Sequence, residues 1–218
     1  MLKHFISLLF ILFCCTTVSA THIAGGEFAL THISENNYRL NFYLYFDDVN
    51  GSPGAMDNNV EAVIFEKGSN KLISKINLPF RSRTPLGYTN IDCSISSLKT
   101  SLISYYNDIV LDPAIYSNPE GYYVTWERCC RSNAISNIQD SGSSGMVFYM
   151  EFPAVVKNGN PFINSSPQLS HPSSDYACVG EPYQYTFNTI DPDGDELIYD
   201  LVPPLRGYTS PVMPIYNS

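Results

Sequence analysis

Apolar and polar residues alternate along most of the chain between positions 27 and 152. Tyr38, Leu40, Phe42, Leu44 and Phe46 fall on one side of an extended segment, and Arg39, Asn41, Tyr43 and Tyr45 on the other. That period of two belongs to a strand with one buried face. The stretch Gly121 to Arg131, Gly-Tyr-Tyr-Val-Thr-Trp-Glu-Arg-Cys-Cys-Arg, alternates in the same way and holds Trp126, the single tryptophan. Further strands are predicted at Glu27–Ile33, Val60–Glu66, Lys71–Leu78, Leu102–Leu111 and Met146–Phe152, the last stopped by Pro153. Ser34–Asn37 reads as a turn and Lys67-Gly68-Ser69-Asn70 as a hairpin. Residues 80–92 read as a connection carrying Pro85 and Gly87. No stretch keeps a helical period with caps. The expected fold is all-β, a disulfide-stapled β-sandwich over Thr21–Asn160 that can bury one core.

Asn164-Ser165-Ser166-Pro167 reads as a linker, after which the strand pattern restarts at Tyr176–Val179, Tyr183–Phe187 and Leu197–Val202. Residues 161–218 are therefore expected to hold a linker and an incomplete immunoglobulin-like domain of the PKD or cadherin kind. About 57 residues serve it, where a sandwich of that type needs about 100. The expectation is either the front of a longer protein or a sheet with an unpaired edge.

Residues 1–20 change the picture. Lys3 and His4 precede the apolar run Phe5–Phe13, and Val18-Ser19-Ala20 forms a small-residue cleavage site. This is the pattern of a secretory signal peptide, and the run is too short to span a bilayer. Cleavage leaves Cys93, Cys129, Cys130 and Cys178, an even set that reads as two disulfides in an oxidising compartment. Adjacent cysteines on a strand point to opposite faces, and their alpha carbons stand about 3.8 Å apart, below the usual disulfide span of about 4.4–6.8 Å. The spacing thus predicts that Cys93 and Cys178 each bond one of Cys129 and Cys130. A zinc site is the competing reading, weakened by the absence of a CxxC pair.

Loss of Lys3 leaves 11 basic and 21 acidic residues. Such a surface repels nucleic acid and anionic membrane, so neither is expected as a partner. An extracellular protein or glycan surface is.

Several blocks occur in order: Thr21-His-Ile-Ala-Gly-Gly-Glu27, Gly121–Arg131 followed by Asn133-Ala-Ile-Ser-Asn-Ile138, Asn164-Ser-Ser-Pro167, and Asp191-Pro-Asp-Gly-Asp-Glu-Leu-Ile-Tyr199. Together they resemble the N-terminal region of large secreted surface proteins of gliding bacteria, the gliding-motility-associated or PKD-domain-containing proteins. The resemblance implies a multidomain, adhesin-like protein exported by the type IX system, which reads a C-terminal sorting domain; nothing here resembles one. It also implies cysteines where this chain has Leu30 and Asp48, and another near Val202, so the family's disulfide pairing does not carry over.

For chemistry, Asp191, Asp193 and Asp195 alternate in a glycine-containing turn, with Glu181 on the preceding predicted strand. Carboxylates so spaced can aim several oxygens at a calcium ion, whereas Asp, Pro and Gly are equally the residues of an ordinary solvated turn. The spacing is not that of an EF-hand. No HExxH, GxSxG or phosphate-binding glycine loop is present. No catalytic residue is assigned. Trp126 is expected in the core, against a disulfide as in immunoglobulin domains. Tyr43 and Tyr45 are open between packing and ligand contact. Arg128 and Arg131 are expected to pair with local carboxylates. The expected function is a secreted, non-catalytic cell-surface protein for adhesion or spacing in surface attachment and gliding. The alternative is a carbohydrate-binding module or a component of a glycan-active enzyme.

Overall fold

The computed structural model describes residues 23–51, 56–96, 99–129, 131–132, 135, 137–172 and 175–207, and the backbone of 215–216. The expected signal peptide, Cys130 and part of the 132–138 segment lie outside the described residues. The chain is all-β. Seven strands form one antiparallel sheet: β1 (Ile23–Ser34), β2 (Asn37–Asp47), β3 (Asn59–Glu66), β4 (Leu72–Pro85), β5 (Thr100–Val110), β6 (Tyr122–Arg128) and β7 (Met146–Phe152). Their order is β1-β2-β5-β4-β3-β6-β7.

The alternation seen in β2 is realised. Tyr38, Leu40, Phe42, Leu44 and Phe46 are all buried. They join Phe28, Ile64, Leu78, Tyr105, Tyr122, Val124 and Phe148 in one core cluster supplied by all seven strands. Each fully buried side chain of this size stabilises the fold by roughly 1.5–3 kcal/mol. The β3–β4 hairpin turns through Gly68 at φ 78° and Asn70 at φ 54°, the left-handed geometry the Gly-Ser-Asn sequence is suited to.

Strand β4 is longer than expected. The pattern weakens after Leu78, yet the strand runs on to Pro85 because its two parts have different neighbours. Residues 72–79 pair with β3, and residues 80–85 pair with β5 after a register shift between Phe80 and Ser82. The outermost strands β1 and β7 touch. Gly26 permits this, since a β-carbon there would lie 2.9 Å from the Phe148 ring and 2.6 Å from the Tyr43 carbonyl oxygen.

Beyond β7 the remaining pairings are two residues long: β8 (Val156–Lys157) with β9 (Asn160–Pro161), β10 (Gln168–Leu169) with β11 (Thr189–Ile190), and β12 (Leu205–Arg206) with β13 (Ile215–Tyr216). The strands expected at Tyr176–Val179, Tyr183–Phe187 and Leu197–Val202 do not form. Their alternation is present, but no strand among the described residues pairs with them, and Val179, Ile198, Leu201 and Val202 stay exposed. Asn164–Pro167 is no free linker either. The Ser166 N–H donates to the Leu30 carbonyl (2.7 Å), Leu30 N–H to Ser166 Oγ (2.8 Å) and His32 N–H to Ser165 Oγ (3.2 Å). These bonds satisfy the open edge of β1, which otherwise presents unpaired backbone groups.

Candidate functional site

The segment after β9 returns across the sheet, and besides the Ser165–Ser166 edge contact three further fastenings among the described residues shape its surface. Nearest β1, His171 lies on Tyr43 and Tyr45, the two tyrosines on the outer face of β2. Its ring centroid is 4.9 Å from that of Tyr43, and its Nδ1 is 2.8 Å from the Tyr45 hydroxyl and 3.6 Å from Glu27 Oε1. Burial pushes the Glu27 carboxyl up to about 7 and lowers the His171 imidazole. A hydroxyl, an imidazole and a carboxylate in contact invite a catalytic reading. A relay, however, binds the nucleophile at one ring nitrogen and the orienting carboxylate at the other. Here both approach the same nitrogen, so the group works as a latch that covers the outer face of β2.

The second fastening is the acidic turn. The Asp191 carboxylate accepts the N–H groups of Asp193 (2.9 Å) and Asp195 (3.1 Å), and Asp193 Oδ2 accepts the Ser165 N–H. Glu181 sits instead in the turn after Cys178, donating its N–H to that residue's carbonyl. The four residues expected to share a calcium ion are therefore not brought together. Among the described residues no three His, Cys, Asp or Glu side chains form a group that could hold a metal. The spacing that suggested ligands serves the turn's own backbone, the role Asx residues take in turns.

The third fastening lies where the chain leaves β4. Cys93, at the end of a 3₁₀ turn over Ile91–Cys93, is disulfide-bonded to Cys178 with alpha carbons 4.8 Å apart. This overturns the expected pairing of each with the Cys129–Cys130 ribbon. The physical reason is a contact the pattern of cysteines does not carry: residues 175–178 dock on residues 88–93 through their neighbours. Thr89 Oγ1 and N–H both donate to Asp175 Oδ2, Asn90 Nδ2 donates to the Tyr176 carbonyl (2.8 Å), and the rings of Tyr88 and Tyr176 stand 4.4 Å apart. The Thr89 hydroxyl holds the Asp175 carboxyl below the usual carboxylate range, and the N–H groups of Tyr176, Asn90 and Thr89 add to this. Cys129 is itself disulfide-bonded.

This docking encloses a cleft of about 530 Å³, lined chiefly by Thr89, Asn90, Asp175, Tyr183, Gln184 and Tyr185. The tyrosines are held by their hydroxyls. Tyr183 Oη accepts the Asp175 N–H (2.8 Å), and Tyr185 Oη donates to the Pro172 carbonyl (2.6 Å). No Lys, Arg or His is among the described lining residues, and Asp175 is the only carboxylate among them. None of the lining residues was singled out from sequence as a site residue. The one signal was Tyr-x-Tyr-x-Phe at 183–187, which reads equally as a strand.

Comparison with protein-family models, curated proteins and solved structures found no match. The site is thus read from its own geometry.

Trp126 packs on Phe42 (5.1 Å between centroids) and Phe148 (5.7 Å), half-buried against the core. Arg128 pairs with Asp57, as expected, and lies 5.7 Å over the Trp126 ring. Arg131 does not behave as expected. Burial lowers its guanidinium, and it donates to the Leu205 carbonyl (2.8 Å).

Proposed function

We propose that this chain is a secreted, non-catalytic cell-surface protein whose β domain acts in adhesion or as a spacer. In this reading the sheet is a two-layer sandwich, with β4 shared between layers, and the segment after it is a surface applied to that sandwich. The Cys93–Cys178 bond carries the proposal: a disulfide joining two irregular, solvent-exposed segments belongs to an oxidising compartment. The signal-peptide pattern at residues 1–20 and the resemblance to surface proteins of gliding bacteria support it. So does the one-nitrogen arrangement at His171, which is unsuited to relay chemistry.

The test is fractionation of cells that make the chain, followed by surface labelling and non-reducing peptide mapping. The expected result is an external protein with a new N-terminus at Thr21 and Cys93 linked to Cys178. Recovery in the cytosol with free thiols at both positions overturns the proposal.

A further inference from the structure

We infer that the tyrosine-walled cleft beside the Cys93–Cys178 bond is a binding site for an uncharged saccharide, an inference that rests on the adhesive surface reading above. Its size falls within the range of about 300–1,000 Å³ that small-ligand sites occupy. Its aromatic wall is pre-set, with one ring exposed and two half-buried. Tyr183 is 46% exposed although its hydroxyl is fixed on the Asp175 backbone, which leaves the ring face for a ligand. Outside the lining, Phe187 meets Tyr185 edge-to-face (5.6 Å between centroids) and stacks on Tyr199 (5.8 Å), which extends the aromatic surface past the cleft. Phe187 is 49% exposed and Tyr199 55%. An aromatic face with a fixed polar tip is the surface on which the C–H face of a sugar ring stacks.

The polar groups select the same ligand. The side chains of Gln184, Thr186 and Asn188 line the cleft, are exposed, and have no partner among the described residues. Two amides and a hydroxyl offer both donors and acceptors, which hydroxyl groups need from a partner. Among the described residues the lining has no cation to attract a sulfate, phosphate or uronate. Its single carboxylate is already occupied by Thr89 and Asn90, and so asks for no cationic ligand. A ligand that is polar, ring-shaped and uncharged matches each of these features.

The test uses the full oxidised chain on an array of neutral hexose oligosaccharides with their sialylated and sulfated counterparts, plus a tyrosine- and proline-rich peptide set. Neutral oligosaccharides are expected to be retained. Tyr183→Ala should weaken retention about ten-fold or more, as loss of a central aromatic contact does. The double change Gln184→Ala with Asn188→Ala should weaken it several-fold. Both changed side chains are exposed, so this variant separates binding from folding, with Trp126 fluorescence as the check on the core. Retention of acidic glycans or peptides alone overturns the inference. So does neutral binding that neither variant alters, or no binding at all. An external, correctly oxidised chain that binds no sugar overturns only the cleft assignment, whereas a cytosolic chain overturns the reading beneath it.

Discussion

Cys93 and Cys178 are bonded to each other across 85 positions of sequence. A closed loop of that length restricts the unfolded chain by about 4–5 kcal/mol in the chain-entropy view. The residues it secures have little core of their own: Val179, Phe187 and Ile190 are exposed. Removing the bond should therefore release this segment before it unfolds the sheet. Limited proteolysis of the Cys93→Ala, Cys178→Ala double variant is expected to cut first between 172 and 190 and to leave 23–157 protected. Simultaneous loss of both regions would show that the segment and the sheet unfold as one unit.

Phe42 is the centre of the aromatic core. Its ring lies 4.4 Å from Phe28, 5.1 Å from Trp126, 5.3 Å from Phe148 and 6.2 Å from Tyr105, and it is fully buried. Strands β1, β2, β5, β6 and β7 meet there, so the site cannot collapse without moving several strands. Phe42→Ala is expected to cost about 3–5 kcal/mol. Trp126 makes the measurement direct, because the sole tryptophan touches the altered site. The urea midpoint followed by its fluorescence should fall. A midpoint within error of the parent would mean that the core is not closed around this ring.

The latch at His171 predicts a pH dependence. Glu27 is mostly buried, and its carboxyl is raised from 4.5 to about 7. The folded state then keeps a proton that the unfolded chain loses, so this group's contribution is fully present below about 4.5 and is lost as pH rises through about 7. His171 acts in the opposite sense. Its imidazole is lowered, so its contribution is present above the ordinary 6.5 and is lost as pH falls. Glu27→Gln leaves His171, Tyr43 and Tyr45 in place and removes only the carboxyl's titration. The variant should match the parent below pH 4.5 and exceed it above pH 7 by on the order of 3 kcal/mol. Equal urea midpoints at pH 8 would show Glu27 to be hydrated.

Legibility in the sequence tracks how local the determining contact is. All seven strands of the main sheet follow from a period of two, and β7 has the bounds expected from Met146 to the stop at Pro153. Strand β4 outruns the expected Lys71–Leu78 because its second part pairs with β5 on a less apolar stretch. Past residue 161 the same alternation misleads, since a period of two states which faces a strand would have and not whether a partner exists. The Cys93–Cys178 bond departs from the expected pairing for a related reason. Elimination among four cysteines uses sequence neighbours, and the deciding contact, Thr89 and Asn90 on Asp175, spans about 85 residues of polar loop. The cleft inherits that opacity, because it exists only once those two loops have met.

Asp193 offers the last prediction, and it separates a fastener from a metal ligand. Its carboxylate accepts the Ser165 N–H, while Asp191 closes the turn behind it. Ser165 and Ser166 in turn cover the edge of β1 at Leu30 and His32. A hydrogen bond to a charged acceptor contributes about 1.5–3 kcal/mol, and its loss here also loosens the strip that protects an open strand edge. Asp193→Ala should lower stability by that amount and speed amide exchange at Leu30 and His32. Asp193→Asn keeps an oxygen acceptor and should retain more than half of the effect. If the carboxylate serves only as this fastener, millimolar calcium will leave the melting temperature of both parent and variant unchanged. A calcium-dependent rise in the parent, absent in Asp193→Ala, would instead mean that the turn reopens to bind the ion.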